Sequence, residues 1–301
     1  MTDATGLRNS LTGISGILVT PFDSADRIDP KRLQPVIDGA IDAGVHLLVS
    51  NGNTGEFYSL TLDEALAMVA ETARMVDGRA PLIGGVGRSV QDACALARAS
   101  AEAGCAALMV HQLPDPFVSP RGTVDYLRRI ADAANGLPLV LYIRNDTAGT
   151  DAIADVCAIP SVVGVKWATP NPMRLAAAMR ACDPDIVWVG GLAEIWAPTF
   201  YAVGARGFTS GLINVWPERS VAIHAALERQ DYAEARYLIE GMRAFEDVRA
   251  EENGGANVSG VKAALAMLGR DCGHARPPAA WPLTDDQSTR ITDVLARAKK
   301  S

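Results

Sequence analysis

Chemistry is first expected at a lysine that ends an apolar run. The segment reads Ser161-Val162-Val163-Gly164-Val165-Lys166-Trp167-Ala168. A continuous hydrophobic run of this length suits a parallel strand buried on both faces. Burial disfavours an ammonium and lowers its pKa, and a neutral amine is the nucleophile that imine chemistry requires. A lysine there can instead reach water or pair with a carboxylate. Tyr142 closes the preceding apolar run, Leu137–Tyr142, so neighbouring strands would stand its phenol beside the amine. A phenol so placed can shuttle the protons that turn a carbinolamine into an iminium; a tyrosine packing a strand end is the simpler alternative. The turn Asn53-Thr54-Gly55-Glu56 supplies a third part. Small polar residues flanked by glycine let backbone N–H groups gather as an anion nest, to which Thr54 adds a hydroxyl. A carboxylate would fit there, and so would an ordinary tight turn. Arg144, two residues past Tyr142, suits a second carboxylate at the far end of a substrate, or an ion pair. Asn53, Gly190, Thr209 and Ser210 are weaker pocket candidates. His111 either lines the pocket or packs at its strand end.

These residues need a frame to bring them together. Short β-branched runs alternate with helical patterns along the chain. Strands are expected at Ile14–Thr20, Leu47–Ser50, Leu82–Val86, Ala107–His111, Leu137–Tyr142, Val162–Lys166, Ile186–Gly190 and near Gly207–Thr209. Helices should begin near Pro30, Thr61, Ser89, Ser119, Thr150, Asn171, Ala193 and Pro217. Thr61 followed by Glu64 makes a capping box, and Pro120 and Pro217 suit a first helical turn. Eight strand–helix units in a row argue for an α/β fold, a (β/α)8 TIM barrel. Its strand ends at the C-terminal face carry the candidate residues. A doubly wound sheet would need a glycine-rich phosphate turn after the first strand, and Thr20-Pro21-Phe22-Asp23 has none. The barrel is expected over 1–229. A C-terminal helical extension follows over 230–301, with helices at Tyr232–Ala250, Val258–Leu268 and Asp285–Lys299 and a proline-rich loop at Ala275–Pro282.

Composition narrows the function. The 301-residue chain carries a net charge of −7, which disfavours nucleic acid as a partner, because phosphate contacts need a basic stripe. No apolar stretch reaches the length of a transmembrane helix and no signal-peptide pattern opens the chain; the expected setting is soluble and cytoplasmic. The five cysteines are widely spaced and form no CxxC pair, so neither a metal site nor a disulfide framework is expected. Gly84-Gly85-Val86-Gly87 lacks the lysine of a phosphate loop. No cofactor is called for.

The chain resembles the dihydrodipicolinate synthase / N-acetylneuraminate lyase family of class I lyases from Gly13 to about Thr284. The resemblance rests on Gly16-Ile17-Leu18-Val19-Thr20-Pro21-Phe22, Gly52-Asn53-Thr54-Gly55-Glu56-Phe57-Tyr58-Ser59-Leu60-Thr61, Tyr142, Gly164-Val165-Lys166, Gly190-Gly191, Gly207-Phe208-Thr209-Ser210 and Val261-Lys262-Ala263-Ala264-Leu265. It implies a (β/α)8 barrel with a C-terminal helical part, in a homotetramer built as a dimer of dimers. It also implies Lys166 as the Schiff-base lysine, Tyr142 as its proton-relaying partner and Thr54 as the carboxylate ligand, acting on a small 2-oxo acid such as pyruvate.

The departures bear on the substrate. Asn53 stands where the synthase proper has a first, proton-relaying threonine. The loop His111-Gln112-Leu113-Pro114-Asp115-Pro116-Phe117 has no tyrosine where the synthase contributes one to a neighbouring subunit. Thr147 stands where the synthase has an arginine for its aldehyde substrate. Arg144 instead resembles the 5-dehydro-4-deoxyglucarate dehydratase branch. The expected function is therefore a sugar-acid dehydratase or aldolase. The alternatives are the synthase, which condenses pyruvate with aspartate semialdehyde, and a paralogue that binds a 2-oxo acid without turnover.

Overall fold

The computed structural model describes residues 4–115, 117–145 and 148–298; Thr147 lies outside them. Eight strands close into a barrel in the order β1 to β8: β1 (Ile14–Ile17), β2 (Leu47–Ser50), β3 (Leu82–Val86), β4 (Ala107–His111), β5 (Leu139–Ile143), β6 (Val162–Trp167), β7 (Val187–Gly190) and β8 (Phe208–Ser210). The pairings from β3 through β8 are parallel. The helices are α1 (Ala4–Leu11), α2 (Gln34–Asp42), α3 (Leu62–Val76), α4 (Val90–Glu102), α5 (Pro120–Ala133), α6 (Thr150–Cys157), α7 (Pro172–Ala181), α8 (Ala193–Ala202), α9 (Pro217–Glu228), α10 (Tyr232–Ala250), α11 (Ala256–Met267) and α12 (Asp285–Ala298). The architecture is a (β/α)8 TIM barrel followed by C-terminal helices.

The helix starts follow their caps. Thr61 and Glu64 exchange side-chain and backbone hydrogen bonds at the start of α3. Ser89, Ser119 and Asn171 accept from the amides of Asp92, Gly122 and Arg174 to open α4, α5 and α7. Each bond satisfies one of the amide donors that a helix N-terminus leaves unpaired. Pro30 opens a short 3-10 turn, Pro30–Leu33, that runs into α2.

Two strand ends depart from expectation by two residues or more, each for a local reason; β6, β7 and β8 agree within one residue. β1 stops at Ile17 rather than Thr20 because the Asn214 side chain takes over the pairing: its amide donates to Ile17 O, and its carbonyl oxygen accepts from Val19 N. β5 begins at Leu139 rather than Leu137. The Leu137 amide closes the turn after α5 on Ala134 O, and Pro138 has no N–H to give a ladder. α1 was not anticipated. It buries Leu7 and Leu11 and lies close to Gly207, where a Cβ would meet Leu11 O at 2.4 Å and Gly13 O at 2.5 Å. Gly207 also has φ +73°, so only glycine fits without strain.

Chain contacts group into two compact units. One comprises residues up to 15, 46–49 and 80–209, and so contains half of β1, most of β2 and the strands from β3 into β8. The other comprises 16–45, 50–79 and the residues from 210 on. In the second unit, α10 packs against α9, α11 and α12, burying Ala235, Ile239, Met242, Phe245 and Val248. Among the described residues, no helix is long and apolar enough to cross a membrane. The cysteines are free thiols.

Candidate active site

Strand register aligns the first group of candidates. His111 on β4 pairs with Tyr142 on β5, Tyr142 with Lys166 on β6, and Lys166 with Val189 on β7. Register partners on parallel strands present their side chains to the same face, because the side-chain period of a strand is two. The His111 and Tyr142 rings lie 5.6 Å apart between centroids. Lys166 Nζ lies 3.9 Å from the centroid of the Tyr142 ring. All three residues are buried.

Burial sets the state of the amine. Lys166 is drawn down from the ordinary lysine value to about 7, first by desolvation and then by the positive charge of Arg144. Relative to an unperturbed lysine, the neutral amine at pH 7 becomes about 10³-fold more abundant. Arg144 itself is exposed, just past the end of β5. Its amide and that of Asn145 both donate to Gln112 Oε1, at 2.7 and 2.8 Å, and Gln112 Nε2 donates to Asn145 O at 3.2 Å. Gln112 therefore fixes the backbone that carries Arg144. The sequence shows Gln112 only as the residue after a strand; nothing in its spacing marks the loop it would hold.

Gly190 and Gly191 serve β6 and β7 by allowing close approach. The Gly191 amide donates to Trp167 O at 2.6 Å, and a Cβ there would meet Trp167 O and Ala168 Cβ at 2.7 Å. A Cβ on Gly190 would meet the Phe200 ring at 2.9 Å. Gly191 thus keeps the end of β7 against the strand that carries Lys166, while Gly190 makes room for α8. Thr209 is buried on β8. A residue that sequence reasoning passed over, Glu194, lies fully buried in the first turn of α8, directly after Ala193, whose φ is +59°.

The Asn53–Glu56 turn belongs to the second unit. Three of its carbonyls are engaged: Asn53 O accepts from Glu56 N, Glu56 O from Ser59 N, and Gly55 O from Thr20 Oγ1 at 2.7 Å, while Gly52 O just before the turn accepts from Phe57 N. Among the described residues, the amides of Thr54 and Gly55 donate no hydrogen bond, and Thr54 is buried. Two adjacent unbonded amides beside a hydroxyl are the donors that an anion nest would need. Asn53 is half-buried. Ser210 behaves otherwise: its hydroxyl bonds the Ser220 hydroxyl at 3.1 Å and accepts from Ile213 N at 3.1 Å. Those bonds order the 3-10 turn Leu212–Asn214 after β8.

Among the described residues, no cluster of histidine, cysteine and carboxylate side chains suits a metal ion. The first unit offers a buried amine drawn down to about 7, a phenol beside it and a nearby guanidinium; the second offers a turn with two amide donors.

Comparison with known proteins gives the family. The family model described as "Dihydrodipicolinate synthetase family" matches residues 10–298. A probable 5-dehydro-4-deoxyglucarate dehydratase of Streptomyces avermitilis is 31% identical over 94% of this chain and 85% of its own. A 4-hydroxy-tetrahydrodipicolinate synthase of Nitratidesulfovibrio vulgaris is 30% identical over 95% of this chain and 98% of its own. The crystal structure of dihydrodipicolinate synthase from Oceanobacillus iheyensis superposes with a TM-score of 0.93 at 34% identity, covering 99% of this chain and 100% of that one. Relatives of both activities match at similar identity, so they agree on the family and differ on the substrate. The chain belongs to the dihydrodipicolinate synthetase family of lyases.

Proposed function

We propose that the protein is a class I lyase that forms a Schiff base between Lys166 and a small 2-oxo acid, and that its substrate is a sugar acid. The observation that carries this reading is the buried amine of Lys166, brought down to about 7 and set against the face of the Tyr142 ring. In this reading Thr54 and the amides of the Thr54-Gly55 turn receive the C1 carboxylate. The neutral amine attacks C2, and Tyr142 carries the protons that expel water from the carbinolamine. The iminium then draws electrons from C3. Loss of a C3 proton leads to dehydration, and cleavage of the C3–C4 bond gives a retro-aldol step. Proton transfer by a positioned side chain is typically worth about 10²–10⁴-fold. Arg144 takes the distal carboxylate, for which a planar guanidinium is the suited partner.

A second reading, condensation of pyruvate with aspartate semialdehyde, is favoured by the similarity to a solved dihydrodipicolinate synthase. Against it stand Asn53, Thr147 and a strand-four loop without tyrosine, where the synthase has three specific side chains. The test is a comparison of turnover on 5-dehydro-4-deoxyglucarate with turnover on pyruvate plus aspartate semialdehyde. Preferential dehydration or cleavage of the sugar acid is expected; efficient condensation would overturn the substrate assignment. The homotetramer implied by the family belongs to the same proposal, and sedimentation velocity reads it directly.

A further inference from the structure

We propose that Glu56 and Lys262 are positioning residues for the Thr54-Gly55 turn, so that α11 of the C-terminal extension governs how tightly the substrate carboxylate is held. The inference rests on the carboxylate role assigned above to that turn.

Glu56 ends the turn and sits in the left-handed backbone region, φ +58°. A glutamate has no intrinsic preference for that conformation, so something outside the turn must hold it. Both carboxylate oxygens are committed. Oε1 accepts from Lys262 Nζ on α11, and Oε2 accepts from Arg276 N at 2.7 Å. Both side chains are only 2% exposed. Lys262 Nζ also donates to His274 O at 2.7 Å and lies 4.2 Å from the Phe22 ring centroid. An ion pair this buried is costly to form and more costly to break on one side. The surrounding contacts serve the same segment. The Arg276 guanidinium binds both Glu64 oxygens at 2.7 and 2.8 Å and Ser59 O at 3.2 Å. Glu64 in turn completes the cap of α3. The segment 53–64 is therefore tied from the C-terminal side at Glu56, Ser59 and Glu64, while Thr20 holds the Gly55 carbonyl. With the Asn53, Gly55 and Glu56 carbonyls bound and the left-handed residue pinned, the Thr54 and Gly55 amides stay free for an anion. A binding group held by a supporting layer of hydrogen bonds keeps its geometry before ligand arrives.

The test separates positioning from general support of the fold. Wild type, Lys262→Met, Glu56→Gln and the charge-balanced double variant Glu56→Gln/Lys262→Met are titrated with pyruvate, and separately with acetone, under borohydride. Acetone presents the same carbonyl without a carboxylate. The expected result is at least a tenfold rise in the pyruvate concentration giving half-maximal adduct, with acetone trapping within twofold of wild type. An equal loss for both carbonyls, an unchanged pyruvate response, or failure of all three variants to fold would overturn the proposal, since each leaves the pair merely structural or irrelevant. A second readout does not depend on the imine. Pyruvate should protect the peptide spanning 51–57 from hydrogen exchange in wild type and in Lys166→Ala, and the protection should vanish in Glu56→Gln. Protection kept in Glu56→Gln contradicts the positioning role, whereas a wild type that is protected but never trapped contradicts only the imine.

Discussion

Tyr142 and Lys166 are register partners on adjacent parallel strands, and the lysine amine rests 3.9 Å from the centre of the tyrosine ring. In the proposed mechanism the phenol contributes in two separable ways: its ring covers the amine, and its hydroxyl moves protons once the amine has added to a carbonyl carbon.

Tyr142→Phe separates the two. The ring remains, so the Lys166 environment is kept. The rate of imine formation with pyruvate should fall by about 10²–10⁴-fold, the range for a positioned proton-transfer group. Stopped trapping with borohydride measures it; an unchanged rate would remove the hydroxyl from the mechanism.

The amine's titration sets the pH dependence. Only neutral Lys166 attacks, so the rate of imine formation should rise with pH through an inflection near 7 and then level. Arg144 lowers the lysine value by its charge. Arg144→Ala should therefore move the inflection upward and, in addition, weaken binding of a substrate with a second carboxylate. A profile that does not shift would show that the guanidinium does not act on the amine.

The same depression has a consequence for stability. The folded protein disfavours the ammonium, so this contribution is lost as pH falls from the unfolded lysine value towards 7, and is fully lost below it. One pKa unit corresponds to about 1.4 kcal/mol, which makes the penalty at neutral pH a few kcal/mol at most. Lys166→Met should thus be more stable than wild type by urea unfolding. The difference should grow from pH 10 down to 7 and stay constant below. A difference independent of pH would contradict the assigned shift.

Gly191 tests how closely β7 must approach the lysine strand. A Cβ at 2.7 Å from Trp167 O and Ala168 Cβ cannot be accommodated without moving backbone. Gly191→Ala should cost about 1–3 kcal/mol, as other forced overpacking does, and slow imine formation. A melting temperature equal to that of wild type would show that the strand ends are not constrained there.

The barrel was legible because each unit carries local signals. Thr61, Ser89, Ser119 and Asn171 announce helices through bonds to amides three residues on. The apolar runs announce buried strands, and Lys166 and Tyr142 stand out as polar groups at their ends. What escaped depends on distant partners. Glu56 meets Lys262 across 206 positions, and Arg276 meets Glu64 across 212. No periodicity encodes such pairs. Ser210 shows the converse error of emphasis: a hydroxyl at a strand end reads as a pocket group, yet its bonds go to Ser220 and Ile213. The end of β1 was misjudged for the same reason, because the group that replaces its ladder is the side chain of Asn214, 197 positions away.

The imine at Lys166 is tested by borohydride reduction in the presence of pyruvate or a 2-oxo sugar acid, followed by peptide mass mapping. One irreversible adduct is expected, on the peptide containing Lys166, and it should be absent from Lys166→Ala. An adduct on another lysine, or none on the Lys166 peptide, would contradict it.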